Sequence, residues 1–401
     1  MPEYSEQDDL MDMSEQQGSK KERIKSKIRF SRFLLLFVAA VFALVLLFVN
    51  KDKLNADNFR RLAAKIDIGL SSDKSTDNSV IDYDYNSSGA VGVYKDGIAR
   101  VTSDSLVIMD NAGTQFQSVL TGFNNPALVT TDKYVMTFDR GGRHLIVTNS
   151  FAVVFDMTFD DNIVTASMND SGYFAVVTES DAYKNKLIVY NSSFEEIYRL
   201  NSMSRYILSA DISEDNRHAA VSSYYIENSS IIPQINYYSF TEEESLWNAE
   251  FEDNIAVSVL CKDDSTVCAL FEWGVCILDS KGKEKYRYEF GNKFLQAYSL
   301  GRGKYNCVVL SDSHSGSSAV TVFDNAGKTI SETGTDVTVI SSDIFGDRLA
   351  LLSRDKIYIY TVSGKLISER ENPNDAEYVL FSDKNSVLVV SDSGIVYNLI
   401  N

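Results

Sequence analysis

The sequence AVTVFDNAGKTISETG, which starts at Ala319, contains an apolar strand, a tight polar turn and a more polar strand. KIYIYTVSGKLISER, from Lys356, repeats this order. Three further copies are SLVIMDNAGTQFQSV (from Ser105), KLIVYNSSFEEIYRL (from Lys186) and GVCILDSKGKEKYRYEF (from Gly274). Glycines in four of the five turns provide the positive φ that tight hairpins need: Gly113, Gly282, Gly327 and Gly364. The starts of these hairpins are about 40 residues apart, or twice that where one copy is degenerate. A period of this length predicts the blades of a β-propeller.

A second element precedes each hairpin and completes the unit. It is a short strand, a turn rich in Asp, Asn, Ser or Gly, and a strand with alternating apolar positions. Clear copies are LSADISEDNRHAAVSS (from Leu208), VSVLCKDDSTVCALF (from Val257) and ISSDIFGDRLALLS (from Ile340). The two elements together predict four antiparallel strands per blade.

Counting these units predicts an all-β domain at 79–401 with eight blades. Seven is the alternative, because the first two units match poorly. The provisional blades lie at 88–121, 124–160, 162–201, 205–251, 253–291, 293–334, 336–373 and 376–401. The last unit holds only three strands, and residues 79–85 (SVIDYDY) are expected to supply the fourth. Pairing the two ends in this way closes the ring and removes exposed strand edges.

A membrane anchor is predicted ahead of this domain. Residues 33–49 form an uncharged apolar run of 17, near the lower limit for one transmembrane helix. Seven basic residues precede the run and five follow it closely, which favours a cytoplasmic N-terminus. A cleaved signal peptide is the less favoured alternative, because its basic region would be about thirty residues long. We therefore expect a cytoplasmic tail at 1–32, a juxtamembrane stem and linker at 50–78, and an extracytoplasmic propeller in the cell membrane.

The charge of the chain argues against nucleic acid as a partner. The whole chain carries −18, and from residue 71 onward 26 basic residues stand against 46 acidic ones, a net −20. So acidic a domain repels phosphate backbones.

No recognisable catalytic set occurs in the sequence, which predicts a protein without enzymatic activity or cofactor. His144 is expected to be a solvated turn residue and His218 a structural one, and His314 is the third histidine. The nucleophile elbow, the zinc-protease helix and the phosphate-binding loop are all missing from the sequence. Asp160 with Asp161 and Asp82 with Asp84 are weak calcium candidates, because turns are rich in Asp for conformational reasons. No metal site is assigned.

Two other residue types remain open. Cys268 and Cys276 are placed where they could face each other across a hairpin, although cysteines in apolar strands are more often small buried hydrophobes. Tyrosine pairs at 224–225 and 237–238 suit recognition if exposed and packing if buried. The insert Ile226–Gln234 is expected to form a functional loop within one blade.

The repeats resemble the WD40, YVTN and PQQ types of bacterial propeller blade. With the anchor included, residues 20–401 resemble a family of uncharacterised, membrane-anchored propeller proteins of Gram-positive bacteria. The motifs that carry this resemblance are structural, so it implies a fold and no reaction. Only Trp247 and Trp273 occur, whereas quinone-binding propellers carry a regular tryptophan in each blade, so no quinone is implied.

Three functions are compatible with this architecture. The first is a scaffold that holds an envelope protein on one propeller face, which a broad apolar patch would favour. The second is a binder of a small ligand or envelope saccharide, which tyrosines around a cleft would favour. The third and least favoured is a hydrolase or lyase built from several blades, which converging His, Asp, Glu and Arg would favour. The sequence identifies neither the partner nor its binding residues.

Overall fold

A computed structural model describes residues 79–82, 89–252, 254–301, 303–312, 316–372 and 376–400. The predicted tail, anchor, stem and linker lie outside these ranges. No helix within them has the length and apolarity needed to cross a bilayer.

The described residues form 32 antiparallel strands. Blades 1 to 4 contain β2 Gly89–Tyr94, β3 Gly97–Thr102, β4 Ser105–Asp110, β5 Gln115–Leu120, β6 Pro126–Thr130, β7 Val135–Asp139, β8 His144–Thr148, β9 Val153–Thr158, β10 Ile163–Met168, β11 Phe174–Thr178, β12 Asn185–Tyr190, β13 Glu196–Ser202, β14 Tyr206–Ile212, β15 His218–Glu227, β16 Ser230–Ser239 and β17 Ser245–Glu250. Blades 5 to 8 contain β18 Ala256–Asp263, β19 Thr266–Phe271, β20 Gly274–Leu278, β21 Glu284–Glu289, β22 Phe294–Ser299, β23 Tyr305–Ser311, β24 Ser318–Asp324, β25 Thr329–Thr335, β26 Val339–Phe345, β27 Arg348–Ser353, β28 Lys356–Thr361, β29 Leu366–Glu371, β30 Tyr378–Asp383, β31 Ser386–Ser391, β32 Gly394–Leu399 and β1 Ser79–Asp82.

The strands assemble into eight four-stranded sheets, so the eight-blade prediction is confirmed and the seven-blade alternative is wrong. In blades 1 to 7 the four strands follow chain order from the innermost to the outermost. Blade 8 closes the ring as predicted, because β1 pairs with β32 from Ser79↔Tyr397 to Asp82↔Gly394. A closed ring leaves no blade with an open face.

The core is divided among the gaps between blades. Eight clusters of buried side chains are present, one at each interface between neighbouring blades, including that between blades 8 and 1. The second and third strands contribute most of these side chains; β7, β11, β19 and β31, for example, are buried along their whole length. Alternate residues of these strands serve opposite interfaces, which explains why they are apolar throughout.

The hairpin turns between third and fourth strands use the glycine geometry that the repeats predicted. Gly327 has φ +85°, and an Asp324 carboxylate oxygen accepts the backbone N–H groups of Ala326 and Lys328, both at 2.9 Å. The turn of blade 3 departs from this pattern, because Phe194 occupies the equivalent position with φ +65°. The Phe194 ring stacks on the Phe155 ring with centroids 5.6 Å apart. A positive φ costs about 1 kcal/mol at a residue other than glycine.

Two faces of the propeller are distinguished by their loops. The links between successive blades and the turns between second and third strands lie on what we call the upper face. The turns between first and second strands and between third and fourth strands lie on the lower face. β1 runs from the lower to the upper face, because it is antiparallel to β32, so the described chain begins at the lower face.

Candidate functional site

A cleft on the upper face extends over blades 2, 3 and 4. Its volume is about 910 Å³. Blade 2 contributes Arg143 and the link to blade 3, and blade 3 contributes the connection between β11 and β12. Blade 4 supplies the start of β14 and Tyr224 of β15. The cleft thus depends on three blades being held in register.

Asn185 fixes the cleft floor between blades 3 and 4. Its side-chain N–H donates to the Thr178 carbonyl at 3.0 Å, and its side-chain oxygen accepts the Ile207 N–H at 2.8 Å. Asn185 is buried, so these bonds are shielded from water and join the two blades directly below the cleft.

The rim of the cleft is mainly acidic. Asp161 forms an ion pair with Lys186 at 2.6 Å, and Glu179 accepts a hydrogen bond from the Asn162 amide at 3.0 Å. Asp160 and Asp181 also line the rim. Among the described residues no ion pair is observed for Asp160, Glu179 or Asp181, so their charges face the cleft and solvent.

Aromatic rings form one wall of the cleft. Tyr206 and Tyr224 are cross-strand partners whose rings stack with centroids 4.9 Å apart. The Lys184 ammonium lies 4.9 Å from the centroid of the Tyr206 ring. Tyr183 also lines the cleft. The wall therefore combines rigid apolar area with a fixed positive charge.

A projecting hairpin rises beside this wall. β15 and β16 are each 10 residues long and pair without interruption to Glu227↔Ser230, so the expected loop at Ile226–Gln234 is in fact a strand extension. The turn has only two residues, Asn228 and Ser229, with φ +48° and +66°. Positive φ at both turn residues defines a type I′ turn, whose twist matches that of the paired strands, and Asn adopts positive φ readily. The sequence pattern predicts a loop here, and not a strand extension, because polar residues interrupt the apolar positions.

The tip of the hairpin exposes an aliphatic pair. Ile226 and Ile231 are direct cross-strand partners, and 59% and 50% of their surfaces are exposed. Side chains two residues apart in a strand share a side, so Ile226 lies on the same side of β15 as Tyr224. The exposed pair therefore overhangs the cleft.

The opposite side of the hairpin is held by a polar network. Arg205 donates to the Gln234 side-chain oxygen at 2.7 Å, and Gln234 donates to a Glu250 carboxylate oxygen at 2.8 Å. The Tyr225 hydroxyl donates to the same Glu250 oxygen at 3.2 Å. These bonds tie the root of the hairpin to β17 and to the link before β14.

Apolar surface continues from the cleft along the upper ends of the inner strands. A β-bulge occurs at an equivalent place in five of them, and the extra residues are Val164, Leu208, Val257, Gln296 and Ile340. Four of the five are aliphatic, and Val257 is 61% exposed. Phe294, the first residue of β22, is 60% exposed. The bulge thus places a side chain at the same upper position in blades 3 to 7, and in four of these blades the side chain is aliphatic.

The histidines are structural where the structure describes them. His144 begins β8 and contacts Asp156 at 2.7 Å and the Phe123 ring at 5.6 Å, so it is not the solvated turn residue that was expected. His218 contacts Asp215 at 2.6 Å and stacks on Tyr237, which confirms its structural role. His314 lies outside the described residues.

The tyrosine pairs divide between packing and exposure. Tyr237 and Tyr238 are buried, and burial raises the pKa of both phenols. Tyr224 and Tyr225 are only half-buried on the projecting hairpin. The sequence pattern does not identify Tyr206 as a partner of Tyr224, because the two residues are brought together only by the register between β14 and β15.

The cysteines are all free and buried. Cys268 pairs with Ile277 while Cys276 pairs with Ala269, so the two thiols point to opposite faces of blade 5. Cys268 lies between blades 5 and 6 and Cys276 between blades 4 and 5. They do not face each other, and burial raises the pKa of Cys268 to about 11.

The calcium candidates form no assembled site in the described part of the chain. Asp161 is paired with Lys186, and Asp84 lies outside the described residues. No group of three or more His, Cys, Asp or Glu side chains within the described ranges has the arrangement of a metal site.

The fold and the cleft define the class of protein as an eight-bladed β-propeller with WD40-like structural neighbours. Sqt1 from Saccharomyces cerevisiae superposes with a TM-score of 0.60 at 11% identity, covering 81% of this chain and 100% of Sqt1. BamB from Moraxella catarrhalis gives 0.54 at 12% identity, covering 81% and 99%. Sqt1 from Chaetomium thermophilum, solved bound to the N-terminus of ribosomal protein L10, gives 0.55 at 10% identity, covering 80% and 100%.

The chain belongs to DUF5711, a family of unknown function whose profile matches residues 72–397. A search of curated protein sequences gave no significant match.

Proposed function

We propose that this protein is a membrane-tethered, extracytoplasmic interaction module that holds a partner protein on the upper face of blades 2 to 4. Residues 33–49 would provide the tether, with the N-terminus in the cytoplasm, as the apolar run and its flanking charges predict. The propeller would act by binding and not by catalysis.

The exposed Ile226–Ile231 pair is the observation that carries this proposal. Aliphatic side chains at the tip of a stable hairpin have no role in the core, and burying each against a partner is worth about 1–2 kcal/mol. The pair lies beside a cleft of about 910 Å³. A partner could therefore bury the isoleucines and also contact the polar groups of the cleft. The apolar bulge residues extend the same surface.

The composition of the cleft also favours binding over catalysis. Its lining residues include carboxylates, two cationic side chains and tyrosines, and no histidine or cysteine. The structure of Sqt1 with the N-terminus of ribosomal protein L10 is an example of a similar propeller that holds a polypeptide segment.

Saccharide binding is the second candidate, and the three tyrosines of the cleft favour it. Tyrosine faces and carboxylates are groups that recognise sugar rings and hydroxyls. The Tyr206 ring is covered by Tyr224 and Lys184, however, which leaves less free aromatic face for a sugar to stack on.

In-cell crosslinking of the full-length protein, followed by mass spectrometry, tests the proposal. We expect one stoichiometric envelope protein to be captured, and the Ile226→Asp/Ile231→Asp double variant to lose it. Leu246→Asp is the matched control, because Leu246 is 53% exposed on the outer strand of the same blade. Equal capture by all three proteins would refute the upper-face site. Capture of no specific protein would refute the scaffold function and direct the work to saccharides.

A fractionation experiment tests the tether separately. Deleting residues 33–49 should move the protein out of the membrane fraction, and protease added to intact cells stripped of their wall should digest the propeller of the undeleted protein. Retention in the membrane or full protection from protease would contradict the predicted anchoring and orientation.

A further inference from the structure

The projecting hairpin leaves part of β15 without a strand on its inner side. β14 pairs with β15 only from Tyr206↔Tyr224 downward, whereas β15 continues to Glu227. Residues Tyr225–Glu227 therefore have β16 on one side and no paired strand on the other. We call this stretch the inner edge.

The backbone groups that face the inner edge can be identified from the pairing register. The Pro233 carbonyl accepts the Phe251 N–H at 3.0 Å, so the backbone groups of Pro233 point away from β15. Those of Ile231 point the same way, because the direction alternates along a strand. Tyr224 and Ile226, the cross-strand partners of Pro233 and Ile231, likewise turn their backbone groups away from β16. The Ile226 N–H and C=O thus face the inner edge, and no backbone partner for them is observed among the described residues.

The outer edge of the same hairpin is occupied as far as Pro233, whose carbonyl is bonded to the Phe251 N–H. Beyond it the Ile231 backbone groups face outward, away from the cleft. The inner edge differs from the outer one because it borders the cleft, where a bound strand would also contact the cleft side chains.

We propose that an extended segment of the partner protein adds to the inner edge as a short strand. The segment would bond to the Ile226 N–H and C=O and lie above the start of β14, with alternate side chains directed into the cleft. Strand addition of this kind obtains affinity from main-chain bonds and specificity from alternate side chains. This proposal rests on the proposed function and specifies how the partner is held.

The cleft indicates the chemistry of that segment. Side chains next to the tip would meet Ile226 and Ile231, which favours aliphatic residues there. Side chains that reach the rim would meet Asp160, Glu179 and Asp181, for which no ion pair is observed in the described chain. The domain as a whole carries a net −20, which favours a cationic partner. Both kinds of side chain lie on the cleft side of the added strand, so they occupy positions two residues apart. We therefore infer a segment whose cleft-facing positions carry an aliphatic residue next to the tip and Lys or Arg toward the rim.

Matched proline and alanine variants of full-length protein test the strand addition, with in-cell capture of the partner as the readout. Ile226→Ala removes the side chain but keeps the inward N–H, and Ile226→Pro removes both. We expect capture by Ile226→Pro to be about five- to tenfold weaker than by Ile226→Ala, the effect of one lost main-chain hydrogen bond. Ile231→Pro is the control, because its lost N–H faces the outer edge, and it should match Ile231→Ala.

The outcomes separate the two proposals. If Ile226→Pro and Ile226→Ala capture the partner equally while the double aspartate variant loses it, the partner binds at the cleft and strand addition is wrong. If the double aspartate variant also retains the partner, the site itself is wrong. Loss in Ile231→Pro as large as in Ile226→Pro would likewise overturn the assignment to the inner edge.

A defined peptide tests the chemistry of the segment. Fluorescence anisotropy with full-length protein in nanodiscs would compare the labelled peptide Val-Ser-Lys-Ser-Lys-Ser with Val-Ser-Glu-Ser-Glu-Ser, in which the aliphatic and charged residues share one side of the strand. We expect only the lysine peptide to bind, with an affinity that falls as salt is raised and is lost when alternate amides are N-methylated. Equal binding of the glutamate peptide, or no binding of either peptide, would overturn the inferred charge pattern. Unchanged binding after N-methylation would overturn the main-chain contact.

Discussion

Blades 4 and 7 bond to the next blade through the same two residue types of the inner strand, a contact that we call the fastening, and they differ at their upper ends. In blade 4, Ser209 and Asp211 accept the N–H groups of Val259 and Cys261 in blade 5, at 3.4 and 2.9 Å. In blade 7, Ser341 and Asp343 accept the corresponding groups of Val379 and Phe381 in blade 8, at 3.2 and 2.8 Å. A Ser-x-Asp sequence on the inner strand thus fastens each of these two blades to the blade that follows it.

The difference is the length of the second and third strands. β27 and β28 have 6 residues each and are separated by two residues, whereas β15 and β16 have 10 each. The extra length of blade 4 carries the exposed isoleucines and the inner edge. Because the fastening is the same in both blades, we assign it to the stability of the fold. The strand extension occurs in blade 4 and not in blade 7, so we assign it to binding. The following experiments test this separation.

Removing a fastening carboxylate should have the largest effect on stability. Asp211→Ala leaves the buried N–H of Cys261 without its acceptor, so we expect the free energy of unfolding to fall by about 1–3 kcal/mol. Urea titration of the full-length protein would measure it. Ser209→Ala is the control and should cost less than 1 kcal/mol, since its bond is long. A smaller loss for Asp211→Ala than for Ser209→Ala would contradict the role of the carboxylate.

The fastening of blade 7 should respond to pH. Burial raises the pKa of Asp343 to about 6, against the hydrogen bonds from Phe381, Ile344 and Ser299, which lower it. The folded protein then holds a proton that the unfolded chain releases above about pH 4, so the stability contributed by this group falls as pH rises from about 4 to 6. Between pH 4.5 and pH 7 we expect the free energy of unfolding to change by about 1–2 kcal/mol because of this group.

Urea titrations at pH 4.5 and pH 7 of wild type and Asp343→Asn would measure this change. The difference between the two proteins should favour wild type more strongly at pH 4.5. The opposite trend would show that the hydrogen bonds outweigh burial at this carboxyl.

Shortening the hairpin should hardly change stability while abolishing capture of the partner. We would replace residues 226–231 with Asn-Ser, the residues of the native turn, so that the shortened hairpin closes on the hydrogen-bonded pair Tyr225↔Ile232 and keeps Tyr225. The extension lies outside the core clusters, so we expect the free energy of unfolding to change by about 0.5 kcal/mol at most. A loss of several kcal/mol would mean that the extension belongs to the fold, and the contrast between the two blades would fail.

Reducing agent should have the smallest effect of all. The four thiols are free and buried, and burial raises the pKa of Cys307 to about 12. We expect the same melting temperature with and without dithiothreitol, and slow reaction of the native protein with thiol reagents. A lower melting temperature in dithiothreitol would reveal a disulfide.

The fold was predictable from the sequence because its determinants are local and repeated. The hairpin glycines, of which Gly327 and Gly364 are clear examples, mark four of the turns, and the spacing of the repeated strand pattern predicts the number of blades. The pairing of the two chain ends followed from one unit that lacked a strand. These inferences needed no knowledge of how the blades pack.

The candidate site was not predictable in the same way, because its parts are far apart in the chain. Arg143, Asp181 and Tyr206 meet only after three blades have assembled. The pattern of residues 226–234 predicts a loop, since the Asn228–Ser229 turn lacks the glycine found in four of the other hairpins. The pairing of His144 with Asp156 depends on strand register, which the sequence pattern left unspecified.

The closure of the ring by β1 also has a mechanical consequence. A tether attached ahead of Ser79 would transmit any pull on the bound partner to the propeller through four residue pairs between β1 and β32. A pull along the strand loads those pairs together in shear, whereas a sideways pull peels them one at a time from Ser79. The strand that completes blade 8 would then set the force at which the ring opens.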